Sequence, residues 1–150
     1  MRLRCALGRS GQRPGKREGD GATPIGVWPL REVFYRADRI GRPRTRLPVR
    51  ALRADVGWCD EAGDRNYNRR VRQPYPSSAE MMWRSDGLYD LVVVLGYNDR
   101  PRRQGRGSAI FMHVAQPGWK PTAGCVALRL HDLYRLLAHC DRRTRVTIGR

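Results

Sequence analysis

The sequence predicts a mainly β fold: a β-sandwich of two packed mixed sheets with one or two short helices. Three observations predict it. Residues 91–95, Leu-Val-Val-Val-Leu, form an uninterrupted apolar run of strand length, as in a strand buried on both faces. Extended stretches recur along the chain, separated by clusters of glycine and proline. A single segment carries strong helical periodicity, with Leu130, Leu133, Leu136, Leu137 and Cys140 on one face.

The elements follow in order. Arg2 to Leu7 alternates basic and apolar residues, the pattern of a strand with one wet face. Residues 8–21 hold five glycines and Pro14 and form a loop. Extended structure resumes at Thr23–Leu30, and Val33–Tyr35 forms a separate strand. Pro24 at a strand start and Pro29 as a break place this region at a sheet edge. Residues 37–48 are a basic turn region, and 49–56 form a weak strand leading to Gly57-Trp58-Cys59-Asp60. A polar loop spans 61–68. Ser77 or Ser78 ahead of Glu80, Met81, Met82 and Trp83 reads as a short capped helix. The strong strand covers Tyr89 to Tyr97, a loop covers 98–107, and Ala109–Val114 is a strand ending near His113. The 116–121 segment must leave the sheet at two prolines and a glycine. Val126–Leu128 is extended, the helix follows with Asp132 in its first turn and Arg142 past its end, and residues 145–149 close the chain as a strand. Residues 1–150 contain no repeat or linker, so one domain is expected.

Composition narrows the function. A hydrophobic fraction of 40% and a mean hydropathy of −0.67 describe a soluble protein, with no run long enough to span a membrane. The first eight residues carry Arg2 and Arg4 inside the only apolar stretch, so no secretory signal is expected. The net charge of +16 suggests a polyanionic partner. However, all basic residues except Lys16 and Lys120 are arginines, spread along the chain without a recognisable nucleic-acid module. Specific nucleic-acid binding is therefore not expected, and attraction to an anionic wall polymer or membrane surface is. The cysteines Cys5, Cys59, Cys125 and Cys140 contain no Cys-x-x-Cys, and His131, His139 and Cys140 lack zinc-ligand spacing. Free thiols and no metal are expected, with Cys5 and Cys140 as packing residues.

One stretch carries the chemistry. Thr122-Ala-Gly124 delivers Cys125 on a glycine-hinged turn, and His113 stands at a strand end twelve positions earlier. A thiol beside an imidazole can form a thiolate–imidazolium pair, a strong nucleophile near neutral pH, with the thiol titrating below its usual value. The N–H groups of Gly124 and Cys125 are the natural oxyanion donors of such a turn. The plainer reading is a small buried hydrophobe at Cys125.

The order His–loop–Thr122-Ala-Gly124-Cys125-Val126 resembles the L,D-transpeptidase catalytic domain (YkuD-like) family. Lys16-Arg-Glu-Gly-Asp-Gly-Ala-Thr-Pro-Ile-Gly-Val-Trp28 is similar to that family's entry segment. Trp58-Cys-Asp60, Tyr67-Asn68 and Tyr97-Asn98 look like signatures of a compact proteobacterial branch ending in Gly-Cys-Val-Ala-Leu. The resemblance implies a YkuD-like β-sandwich in which Cys125 is the acyl-accepting nucleophile, His113 its base and Gly124 part of the catalytic turn. Thr122, Tyr67, Asn98 and Trp58 are expected near the substrate, although Tyr67 reads equally well as a core aromatic. The implied substrates are peptidoglycan stem peptides, with no cofactor, a monomeric state and a periplasmic or cell-envelope location, or a cytoplasmic one without export. The chain departs from the family pattern at Val114, at Ala123 and at Ala127, where an arginine usually stands; Arg129 or another arginine is expected to substitute. Two rivals remain: a cysteine peptidase or amidase acting on another wall substrate, and a basic, non-catalytic binding domain.

Overall fold

A computed structural model describes residues 1–149. Its strands are Gln12–Arg13 (β1), Thr23–Pro24 (β2), Gly26–Tyr35 (β3), Val49–Ala51 (β4), Val56–Cys59 (β5), Arg70–Arg72 (β6), Ala79–Met81 (β7), Leu91–Leu95 (β8), Phe111–Val114 (β9), Val126–Leu128 (β10) and Arg145–Ile148 (β11). One α-helix, Leu130–Leu137 (α1), follows β10. The fold is mainly β, with mixed and antiparallel sheets and one short helix.

Six strands form a mixed sheet in the order β10-β9-β8-β3-β11, with β4 also on β3. The strand β8 lies inside it and is buried along its whole length because its two faces meet different cores. Leu91, Val93 and Leu95 join Leu133 and Leu137 of α1 on one side. Val92 and Val94 join Trp58, Met82, Tyr89 and Phe111 on the other, under the antiparallel sheet β6-β5-β7. Period-two alternation thus divides one apolar run between two layers. Trp58 of β5 meets Phe111 of β9 edge to face at 5.1 Å, which couples the two sheets.

Several sequence expectations are corrected. Residues 26–35 are one ten-residue strand inside the sheet, not two pieces at an edge, and Thr23–Pro24 pairs separately with β1. Along one side β3 pairs with β11 up to Pro29 and with β4 from Val33. Pro29 therefore stands where β11 ends, and its missing N–H breaks no continuous ladder. Arg2–Leu7 is not a strand; Ala6 makes an isolated bridge to Ala127 and Gly8 one to Thr122. The 77–83 segment is not a helix. Its Ala79–Met81 pairs with β5, while the Ser77 and Ser78 hydroxyls bond the Asp64 and Asp60 carboxylates rather than capping a first turn. Four residues with two methionines fit either period, and pairing with β5 selects the extended one.

Alternation places Met82 inside at 0% exposure and Met81 outside at 56%. Met82→Ala should therefore cost about 2–5 kcal/mol of stability in urea unfolding. Met81→Ala should change it by less than about 0.5 kcal/mol.

Candidate active site

The register of β9 and β10 builds the site. They pair in parallel with Ala127 opposite His113 and Val126 opposite Met112. Cys125, just before β10, packs in the same core as Phe111, and His113 shares the Phe111 face by alternation. The two chemistry-bearing side chains are thus diagonal neighbours at the floor of one cleft of about 410 Å³.

The turn is held from several directions. Thr122 Oγ1 donates to the Cys125 carbonyl at 2.7 Å and accepts the Gly124 N–H at 3.0 Å. Gly124 has φ +142°, and a Cβ there would stand 2.8 Å from the Ala22 carbonyl and 3.2 Å from Lys16 Nζ. Only glycine lets the turn lie so close to the entry segment. The Gly124 N–H, expected to face an oxyanion, is occupied by Thr122. The Cys125 N–H has no acceptor among the described residues.

Cys125 is 8% exposed. Its thiol donates to the Ala109 carbonyl at 3.3 Å and accepts from the Phe111 N–H at 3.4 Å. The Ala109 carbonyl reaches it because Ala109 adopts φ 53°, a left-handed conformation uncommon for alanine. Asn68 anchors that geometry. Its Oδ1 accepts from the Ala109 N–H and from Trp58 Nε1, while Nδ2 donates to the Tyr97 and Asn98 carbonyls. This buried amide satisfies both its donors and its acceptor on three segments around the thiol.

His113 Nδ1 bonds the carbonyl of Val114 at 2.9 Å. With Nδ1 as the donor, Nε2 keeps its lone pair. The ring packs edge-on against Tyr89 at 5.3 Å, and Tyr89 donates to the Glu80 carboxylate. A backbone carbonyl therefore orients the imidazole.

The electrostatics overturn the expected resting ion pair. Burial pushes the Cys125 thiol up to about 12, with the Glu80 charge acting in the same direction. Burial lowers the His113 imidazole, and Arg84 adds to that effect against the Val114 bond. Each shift favours the neutral form, and the two side chains make no hydrogen bond to each other among the described residues. The resting site holds a neutral thiol and a neutral imidazole.

The other expected site residues divide. Thr122 lines the cleft. Tyr67 is buried behind it, its hydroxyl donating to Glu18 and accepting the Gly107 N–H. Trp58 lies in the core beneath Phe111. Asn98 closes the 98–107 loop through Arg103 and Gly107 and lines a different depression. Arg129 stacks over Trp119, also outside the cleft, because it precedes α1 on the far side of β10. Arg84, Lys16, Glu18, Asp60, Glu80 and Ser108 line the cleft. Lys16 and Glu18 belong to the entry segment and Asp60 to the Trp58-Cys-Asp60 signature, whereas Arg84, Glu80 and Ser108 belong to no such motif.

Fold and site together define a mainly β domain whose cleft joins an imidazole on β9 to a thiol on the turn entering the adjacent β10. A family model described as the L,D-transpeptidase catalytic domain, YkuD, matches residues 1–148. The chain belongs to that family. Comparison with curated proteins and with solved structures found no match.

The cysteines give a direct check. Contrary to expectation Cys5 is exposed, while Cys59, Cys125 and Cys140 are buried. Brief iodoacetamide treatment at neutral pH should label Cys5 first and Cys125 slowly, as read by peptide mapping. Because the folded thiol titrates above its ordinary value, the Cys125 rate should still climb from about pH 7 to about pH 10 without a plateau. A plateau near neutrality would show a resting thiolate.

Proposed function

We propose that this domain is a peptidoglycan L,D-transpeptidase that works through a Cys125 acyl-enzyme on stem peptides. The supporting observation is the shared placement of Cys125 and His113, with Nε2 unprotonated, on one face at the floor of the cleft. Family membership supplies the reaction class.

The cycle starts from neutral partners. As the thiol approaches the carbonyl of the third stem residue, its proton passes to His113 Nε2 and the S–C bond forms. Proton transfer at the moment of attack avoids maintaining a buried thiolate in the resting enzyme. The Cys125 N–H is the available donor for the developing oxyanion. His113 then protonates the departing terminal D-Ala amine, the C–N bond breaks, and a thioester remains. An amine of a second stem accepts the acyl group, or water does in a carboxypeptidase reaction. The chain works as a monomer in the cell envelope, where its +16 charge attracts it to anionic wall or membrane surfaces.

Cys125→Ala should abolish turnover of a tetrapeptide-stem muropeptide, followed by product chromatography, with unfolding stability changed by no more than about 1–2 kcal/mol. Turnover comparable to the unsubstituted protein would refute the nucleophile.

A further inference from the structure

The Cys125 cleft has an anionic wall in a strongly cationic protein. Glu18, Asp60 and Glu80 all line it. Each carboxylate is held by a hydroxyl: Tyr67 donates to Glu18, Ser78 to Asp60 and Tyr89 to Glu80. None of the three forms an ion pair among the described residues. With 30 basic and 14 acidic residues in the chain, cations are in excess. Asp20, Glu32, Asp38, Asp86, Asp90, Asp99 and Asp132 have each taken one and Asp55 two, while outside the cleft Glu61, Asp64 and Asp141 have none among the described residues. A hydroxyl clamp fixes a carboxylate in place without neutralising it, so the charge stays available to a ligand. Four basic residues also line the cleft: Lys16 is committed to Asp20 and Arg84 to Asp86, Arg9 donates to the Gly19 carbonyl, and Lys120 has no ion pair among the described residues.

A second observation points to a ligand in the same place. Ser108 is 7% exposed and lines the cleft beside the Tyr67 hydroxyl, and its Oγ makes no hydrogen bond of good geometry among the described residues. A buried hydroxyl left unpaired is costly unless something supplies its partner. A ligand N–H group meets that need, and an ammonium carries three such donors.

We propose that Glu18, Asp60, Glu80 and Ser108 form the subsite that docks the ammonium group of the acyl acceptor. This rests on the acyl-transfer reading above and deepens it, by assigning the amine side of the reaction to a specific wall of the cleft. The docked ammonium releases one proton to Glu80, whose affinity for it burial has raised. The amine nitrogen then attacks the thioester carbon, forming the C–N bond. A second proton moves from nitrogen through His113 to the sulfur as the C–S bond breaks. The products are the amide, the Cys125 thiol and a proton that leaves Glu80 for solvent. Glu18 and Asp60 bind and orient the cation. Without a docked cation, water reaches the thioester instead.

Calorimetric titration separates this subsite from the reaction it serves. The full chain is titrated with cadaverine and with its neutral diol isostere, and so are Glu80→Gln, Asp60→Asn and the double variant. Near-UV circular dichroism checks that each variant is folded. Cadaverine should bind measurably where the diol does not, and the double variant should weaken it by about tenfold or more, as expected for charge-assisted hydrogen bonds. If the double variant unfolds, a loss of about threefold or more in either folded single variant supports the subsite equally. Equal binding of cation and diol, or unchanged cadaverine affinity in the folded variants, would overturn the subsite. Turnover is not read, so a failure of acyl transfer would count against the proposed function and not against this assignment.

Discussion

The parallel pairing of β9 with β10 is the constraint on which the site depends. It fixes Ala127 opposite His113 and so brings Cys125 and the imidazole to one face of the sheet. A one-residue slip would send one of them into the helix-side core, because alternation reverses every side chain at once. The remaining structure holds this register. The segment through Ala6 and Gly8 laces along β10, with Ala6 and Ala127 exchanging both backbone hydrogen bonds at 2.8 Å and Arg9 and Leu7 bonding Thr122. The α1 helix packs Leu133 and Leu137 against the opposite face. Asn68 ties the approach to β9 into the facing sheet through Trp58.

Burial then sets the chemistry. The same packing that positions Cys125 removes water from it, so the thiol and the imidazole both rest uncharged. A buried thiolate held at rest would need a compensating cation, and Lys16, the nearby cation, is tied to Asp20. Activation coupled to substrate approach asks for less. The thiol stays inert toward bystander electrophiles until a carbonyl is positioned at it, and proton transfer to Nε2 accompanies bond formation. The hydroxyl-clamped carboxylates fit the same pattern, since they remain fixed before any ligand arrives.

Much of the fold was legible because it is written in local periodicity. The Leu91–Leu95 strand and the Leu130–Leu137 helix stand where their patterns place them, as does the closing strand at Arg145–Ile148. The resemblance carried by Thr122, Gly124, Cys125 and His113 identified the family. Other features depend on long-range contacts. Strand β7 has a helix-compatible sequence and is extended only because β5 pairs with it. Pro29 breaks a strand by local rule, yet here it coincides with the handover from β11 to β4. The thiol's protonation state follows from burial by residues far apart in sequence, and the Cys–His spacing carries no information about it. Asn68 belongs to the Tyr67-Asn68 signature, but its role follows from a left-handed backbone that brings four partners around one amide.

Cys125, neutral at rest, is the residue proposed to accept the acyl group, and everything else in the reaction turns on it. Intact mass spectrometry after exposure to a carbapenem, followed by peptide mapping, tests this most directly. The expected result is a single covalent adduct on the peptide carrying Cys125, lost in Cys125→Ala, with the exposed Cys5 unmodified. No adduct, or one mapped to Cys5 and retained in Cys125→Ala, would contradict it.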